Sequence, residues 1–152
     1  MFTGRPNAKT VQLRHTLPDG SSHIDWLLAT GPAAAEPLIC FRLDQPVHTI
    51  KTGDSLAILR IADHRAMYLD YEGPVSGDRG EVRREAAGTI RCWQPAEEPA
   101  AGWLIDVQWL APGIADRTQR LLVHERASAE RTDAGTWWVV TDVVSKSAGL
   151  KQ

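Results

Sequence analysis

A chain of 152 residues, 43% hydrophobic and 24% charged, suits one soluble domain with a sizeable core. A net charge of −2 excludes a global basic field, so any nucleic-acid contact needs a local patch. Cys40 and Cys92 match no zinc or disulfide spacing, no apolar run approaches roughly 18 residues, and the opening MFTGRPNAKT lacks an apolar leader; a cytoplasmic protein with no membrane span is expected.

Residues 1–9 read as a loose terminus. TVQLRH and SSHIDWLLAT then read as two strands around the turn LPDG at 17–20. Proline has its φ preset for the second position of a type I turn, and Gly20 can take the left-handed conformation of a bulge. A three-residue hairpin of this kind places Leu17 opposite Ser21, His15 opposite His23 and Leu13 opposite Asp25. Residues two apart on a strand share a face at roughly 6–7 Å. Directly opposed Cβ atoms lie about 4.5–5.5 Å apart. His15, His23 and Asp25 therefore converge on one face, while Ile24, Trp26 and Leu28 pack the other. Two imidazoles and a carboxylate so placed can hold one side of a divalent ion. The competing reading is a solvated hairpin with polar decoration, and a one-residue slip sends His15 to the other face.

A short helix over 28–37 is limited by Gly31, Pro32 and Pro37. PLICFRL and SLAILRIA read as further strands. ADHRAMYLDYEGPVSGDRG, 62–80, reads as an amphipathic strand entering a glycine-rich turn. Tyr68, Asp70 and Glu72 fall on one face and Met67, Leu69 and Tyr71 on the buried one. In a functional reading His64 is a phosphate ligand or general acid and Tyr68 a hydrogen-bond donor. Arg79, Arg83 and Arg84 could contact an anion, but Asp78, Glu81 and Glu85 among them favour a solvated charged face. TIRCWQ, WLIDVQWL, RLLVHERA and TWWVVTDVV complete the strands, and residues 147–152 read as a loose end. The fold class expected over 1–152 is mostly β, a small closed or partly closed barrel of about eight strands with little helix. His-Thr pairs occur at 15–16 and 48–49 without the spacer of two-histidine phosphodiesterases, so His48 and His124 are expected to be structural or exposed.

HIDWLL at 23–28 and DHRAMYLDYEG at 63–73 together resemble the 3′-phosphoesterase domain of bacterial DNA ligase D, which also occurs as stand-alone proteins. That family carries a histidine, a short turn, then His-aromatic-Asp-x-Arg-Leu, and later Glu-Asp-His-x-x-x-Tyr-x-x-Phe-Glu-Gly. His64, Tyr68, Glu72 and Gly73 fall at the family spacing, with Tyr71 in place of phenylalanine. PVSGDRG resembles the family's glycine-rich turn and AAGTI its later strand start, so the likeness spans about residues 10–93.

The resemblance implies a compact β-barrel with its site in a groove. It implies manganese-dependent removal of 3′-phosphates and 3′-ribonucleotides from DNA or RNA–DNA ends during repair, with a ligase or other end-joining protein as partner. It assigns His15, His23 and Asp25 to the metal, His64 to the phosphate, and Tyr68 beside it. The family arginine two residues after the aspartate is Leu27, the acid two before the histidine is Ala62, and an expected lysine is Gln45. Arg60 shares strand parity with His64 and is the expected substitute cation, ahead of Arg42 and Arg14, which points to the other face. The departures keep two alternatives open: a non-catalytic module binding DNA ends or protein, and a phosphoesterase for another small phosphate ester.

Overall fold

The structure, a computed structural model, describes residues 7–30, 38–95, 101–110, 117–126 and 136–141. Of the short helix expected over 28–37, Leu28 is instead the last residue of a strand and residues 31–37 lie outside the described ones, as does the C-terminal end at 147–152. Nine antiparallel strands run in chain order: β1 (Ala8–Thr16), β2 (Ser22–Leu28), β3 (Leu38–Leu43), β4 (Ser55–His64), β5 (Gly73–Pro74), β6 (Glu81–Pro95), β7 (Ala101–Trp109), β8 (Thr118–Arg126) and β9 (Thr136–Thr141). They pair in the order β1-β2-β3-β4-β9-β8-β7-β6-β5, and β1 also pairs with β6. The sheet thus curls back on itself as a partly closed barrel, in accord with the mostly β expectation. Among the described residues, helix is confined to 3-10 turns at Val47–Thr49 and Ala66–Leu69, and no helix is long and apolar enough to cross a membrane.

One face of this sheet forms the core. Ile24, Trp26, Phe41, Ile90, Ile105, Trp109, Leu121 and Val123 are fully buried on it. Burying each such apolar side chain is worth roughly 1.5–3 kcal/mol. Three polar side chains are buried with them, and each is bonded. Thr10 accepts from the Trp26 indole at 2.8 Å and donates to the Leu27 carbonyl at 2.7 Å. Gln12 accepts from the Val47 N–H at 2.6 Å, and Gln119 donates to the Val47 carbonyl at 3.0 Å and accepts from the Trp109 indole at 2.9 Å. An unpaired group in these places would cost about 1–3 kcal/mol, so the glutamines tie the Val47–Thr49 turn to the barrel.

Three expectations are corrected. The first strand begins at Ala8, which is fully buried against β6, so residues 8 and 9 are strand instead of loose chain. The run 66–72 is a 3-10 turn and a bend instead of a strand; Met67 is exposed while Leu69 is buried. The strand recognised at TIRCWQ starts eight residues earlier, at Glu81, and its charged half pairs with β1.

A bulge in β4 places the site. Cys40 pairs with Ile61 and Leu38 with His64, so β4 carries one residue more than β3 across this step. The extra residue flips side-chain parity, as a β-bulge does. Phe41 pairs with Arg60 and Arg42 with Leu59, so Arg60 and His64 end on opposite faces.

Candidate functional site

The site begins at the LPDG turn. The Leu17 N–H donates to the Ser21 carbonyl and the Gly20 N–H to the Leu17 carbonyl, both at 2.8 Å, and Gly20 has φ +91°. Asp19 accepts from the Ser21 backbone and hydroxyl, which holds its carboxyl below the usual range. This turn sets the register: His15 faces His23 and Leu13 faces Asp25. One ligand atom from each of His15, His23 and Asp25 lies within 4.8 Å of the others. The two imidazoles meet edge to face at 4.9 Å.

The tautomers follow from the neighbours. A backbone carbonyl can only accept, so His15 Nε2 donates its proton to the Arg79 carbonyl at 2.6 Å. Its Nδ1 lies 3.7 Å from Asp25 Oδ2. His23 Nε2 lies 3.2 Å from Asp25 Oδ1, yet both atoms are buried without a hydrogen-bond partner. Burial holds the His23 pKa below its ordinary value against the pull of Asp25, and the nearby Arg42 and His15 add to the lowering. An imidazole beside a buried carboxylate, each with a polar atom lacking a hydrogen-bond partner, is an arrangement that could hold a cation. The carbonyl that orients His15 is the kind of outer contact that fixes metal-bound histidines. This donor set fits a divalent ion of the manganese, iron or zinc type.

A pocket of about 270 Å³ opens beside the cluster, lined by His15, Asp25, Arg42, His64, Tyr68 and Arg79 over an apolar floor that includes Leu13 and Val82. It brings the hairpin and the second constellation together. His64 donates from Nδ1 to the Ala62 carbonyl at 3.0 Å, leaving Nε2 as the nitrogen available to a ligand. Ala62 thus serves through its backbone at the place where an acidic side chain was expected. Edge-to-face contacts run from His64 to Tyr68 at 5.5 Å and on to Tyr71 at 5.8 Å, and the Tyr71 hydroxyl donates to the Pro74 carbonyl. Glu72 plays a structural part, accepting the Arg84 N–H at 2.6 Å.

The glycine-rich turn delivers Arg79. A Cβ on Gly80 would lie 1.9 Å from the Thr16 carbonyl, so only glycine lets this turn lie against β1. The Arg79 side chain folds back on Ser76, donating to its carbonyl at 2.7 Å and its hydroxyl at 3.3 Å.

Arg60 is not brought to the site. Its guanidinium lies over the Phe41 and Trp103 rings, 5.6 and 6.0 Å from their centroids, and 3.7 Å from Asp63. The parity argument that favoured it fails at the β4 bulge. Arg14 lies on the other face, bonded to Glu85 and Ser22. Leu27 is fully buried across from Cys40, and Gln45 donates to Thr49. Two arginines line the pocket, Arg79 and Arg42; Arg42 is the cross-strand partner of Asp25, with Nε 3.6 Å from Asp25 Oδ1. The sequence holds little signal for that pairing, because no short turn motif links β2 to β3. Cys40 is buried and its thiol pKa is pushed well up by burial, which rules it out as a nucleophile near neutrality. His48 is structural: the Gln12 amide donates to its Nδ1 at 2.9 Å.

No family model matches the chain, and no curated protein matches it.

Proposed function

We propose that this protein is a metal-dependent phosphoesterase that removes 3′-phosphates or 3′-ribonucleotides from DNA ends. The carrying observation is one pocket that joins a His15/His23/Asp25 ligand cluster to His64 and Tyr68. A divalent ion held by those three ligands, manganese in this reading, supplies Lewis-acid polarisation of a phosphoryl oxygen. The chain's own groups do the rest. His64 presents Nε2 toward the phosphate, where it binds as the imidazolium or hands a proton to the leaving oxygen. Tyr68, braced by Tyr71, orients the ester with its hydroxyl. The apolar floor excludes water from one side and strengthens each charge interaction. Water attacks the phosphorus as the P–O3′ bond breaks, so a 3′-phosphate end yields inorganic phosphate and a 3′-hydroxyl, the end a ligase needs; DNA or RNA–DNA ends and an end-joining ligase are the partners of this reading.

The test uses a 3′-phosphorylated primer annealed to a template with manganese present. The wild type releases inorganic phosphate and the His23→Ala variant does not; equal release from both overturns the ligand assignment.

Burial of Leu27, which leaves β2 without a cation at the site, favours a second reading: a module that holds a 3′-phosphate end without turning it over. Manganese-dependent binding of the same duplex with no phosphate release distinguishes it.

A further inference from the structure

We infer that Arg42 is the residue that grips the phosphoryl group in this pocket. The inference rests on the phosphate-ester reading above and adds a second phosphate-binding side chain, an arginine, beside His64.

A guanidinium beside a carboxylate normally closes into a two-pronged pair at 2.7–2.9 Å. The protein contains such a pair, Arg120 with Asp106, at 2.6 and 2.8 Å. Arg42 and Asp25 are equally well placed, as direct partners across β2 and β3, yet they stop at 3.6 Å. Arg42 Nε and Asp25 Oδ1 are both buried and neither makes a hydrogen bond. Leaving a buried donor and a buried acceptor unmet is costly, and mutual pairing was within reach. Both residues line the same pocket. The open pair is therefore shaped for two ligands of opposite charge, a cation for Asp25 and an anion for Arg42.

The other nearby arginines have partners of their own, Arg79 among them although it lines the same pocket. Arg79 is bonded to Ser76, Arg84 to the Leu69 carbonyl, Arg14 to Glu85, and Arg60 lies over Phe41. A phosphoryl group in the pocket would receive N–H donors from Arg42 on the β3 side and meet His64 on the other. The planar fork of arginine matches two phosphoryl oxygens, which a lysine cannot reproduce.

The test is calorimetric titration of the full chain with manganese alone, then with inorganic phosphate in saturating manganese, for wild type, Arg42→Met, Arg42→Lys and Arg60→Met. Arg42→Met is expected to bind phosphate about 10- to 100-fold more weakly, the worth of a charged hydrogen bond. It should bind manganese as tightly as wild type or more tightly, because a cation beside Asp25 has gone. A merely structural arginine would weaken both together. Arg42→Lys keeps the charge, is the less disruptive change, and should fall between; Arg60→Met should match wild type. Unchanged phosphate affinity in both Arg42 variants overturns the assignment while leaving the metal site standing. A wild type that binds neither manganese nor phosphate overturns the phosphoesterase reading itself.

Discussion

The Nε2 of His15 lies 2.6 Å from the carbonyl oxygen of Arg79, a contact between β1 and the glycine-rich turn. The contact exists because Gly80 allows the turn to sit against the Thr16 carbonyl. Gly80→Ala must move that turn, since its Cβ meets backbone at 1.9 Å. Loss of the His15 contact is expected to weaken manganese binding about 10- to 100-fold, as removal of outer-shell partners does. Gly77→Ala is the control: it shares a positive φ, +78°, but its Cβ makes only an ordinary contact at 3.5 Å. It should cost roughly 1–2 kcal/mol of stability and leave the metal affinity alone. Titration calorimetry and thermal melts of both variants check the pair.

Metal binding should register as stability. A ligand that binds only the folded state at about 100 times its Kd adds roughly 2.7 kcal/mol. Manganese is expected to raise the Tm of the wild type and a chelator to reverse the rise. Asp25→Asn removes the one buried carboxylate of the cluster and should melt at the same temperature with or without manganese. A parallel rise in both proteins would point to binding elsewhere.

In the proposed function His64 acts on the phosphate and takes no part in holding the metal. His64→Gln should therefore lower phosphate release by about 100-fold or more, the usual range for a lost general acid or base. Manganese affinity should be unaffected. A loss of metal binding in this variant would move His64 into the ligand shell.

Acid sensitivity should trace in part to His48. Burial holds its pKa below the ordinary 6.5, with the Arg117 guanidinium adding to the lowering and Glu85 opposing it. The unfolded chain takes up this proton first as pH falls. Stability is therefore intact above about pH 6.5 and is lost below it, until the folded-state pKa is passed. His23 contributes with the same sign. Urea unfolding in chelator at pH 7 and pH 5 should show a shallower decline for His48→Asn, which keeps an acceptor for Gln12 but cannot titrate. Equal declines would show that His48 does not contribute.

Much of the barrel and half of the site could be read from the chain, and the reason is locality. The register of β1 and β2 follows from the turn chemistry of Leu17, Pro18, Asp19 and Gly20, so the convergence of His15, His23 and Asp25 needed only counting. The other half depends on contacts between distant segments. Counting from Arg60 to His64 assumed an unbroken strand, and one extra residue opposite Cys40 reversed the answer. Tyr68 and Leu69 sit in a 3-10 turn, where alternation carries no meaning. The early half of β6 was hidden because Glu81, Arg83 and Arg84 point to solvent while Val82 and Ala86 are too few to show a stripe. Arg42 reaches Asp25 through the β2–β3 register, which no short turn motif announces.

The double use of β1 implies an order of assembly. One edge of β1 meets β2 within a local hairpin, and the other waits for Glu81–Ile90. Hairpins form in about 1–10 μs, whereas closure by distant strands is far slower. On this order the three candidate ligands would be gathered before the wall carrying His64, Tyr68 and Arg79 arrives. A cation captured at that stage would clamp the hairpin while its outer edge is bare and open to pairing with other chains. In that sequence of events the ion acts first as a folding template. Refolding followed with and without manganese reads the order directly: a rate indifferent to the ion places its capture after the barrel has closed.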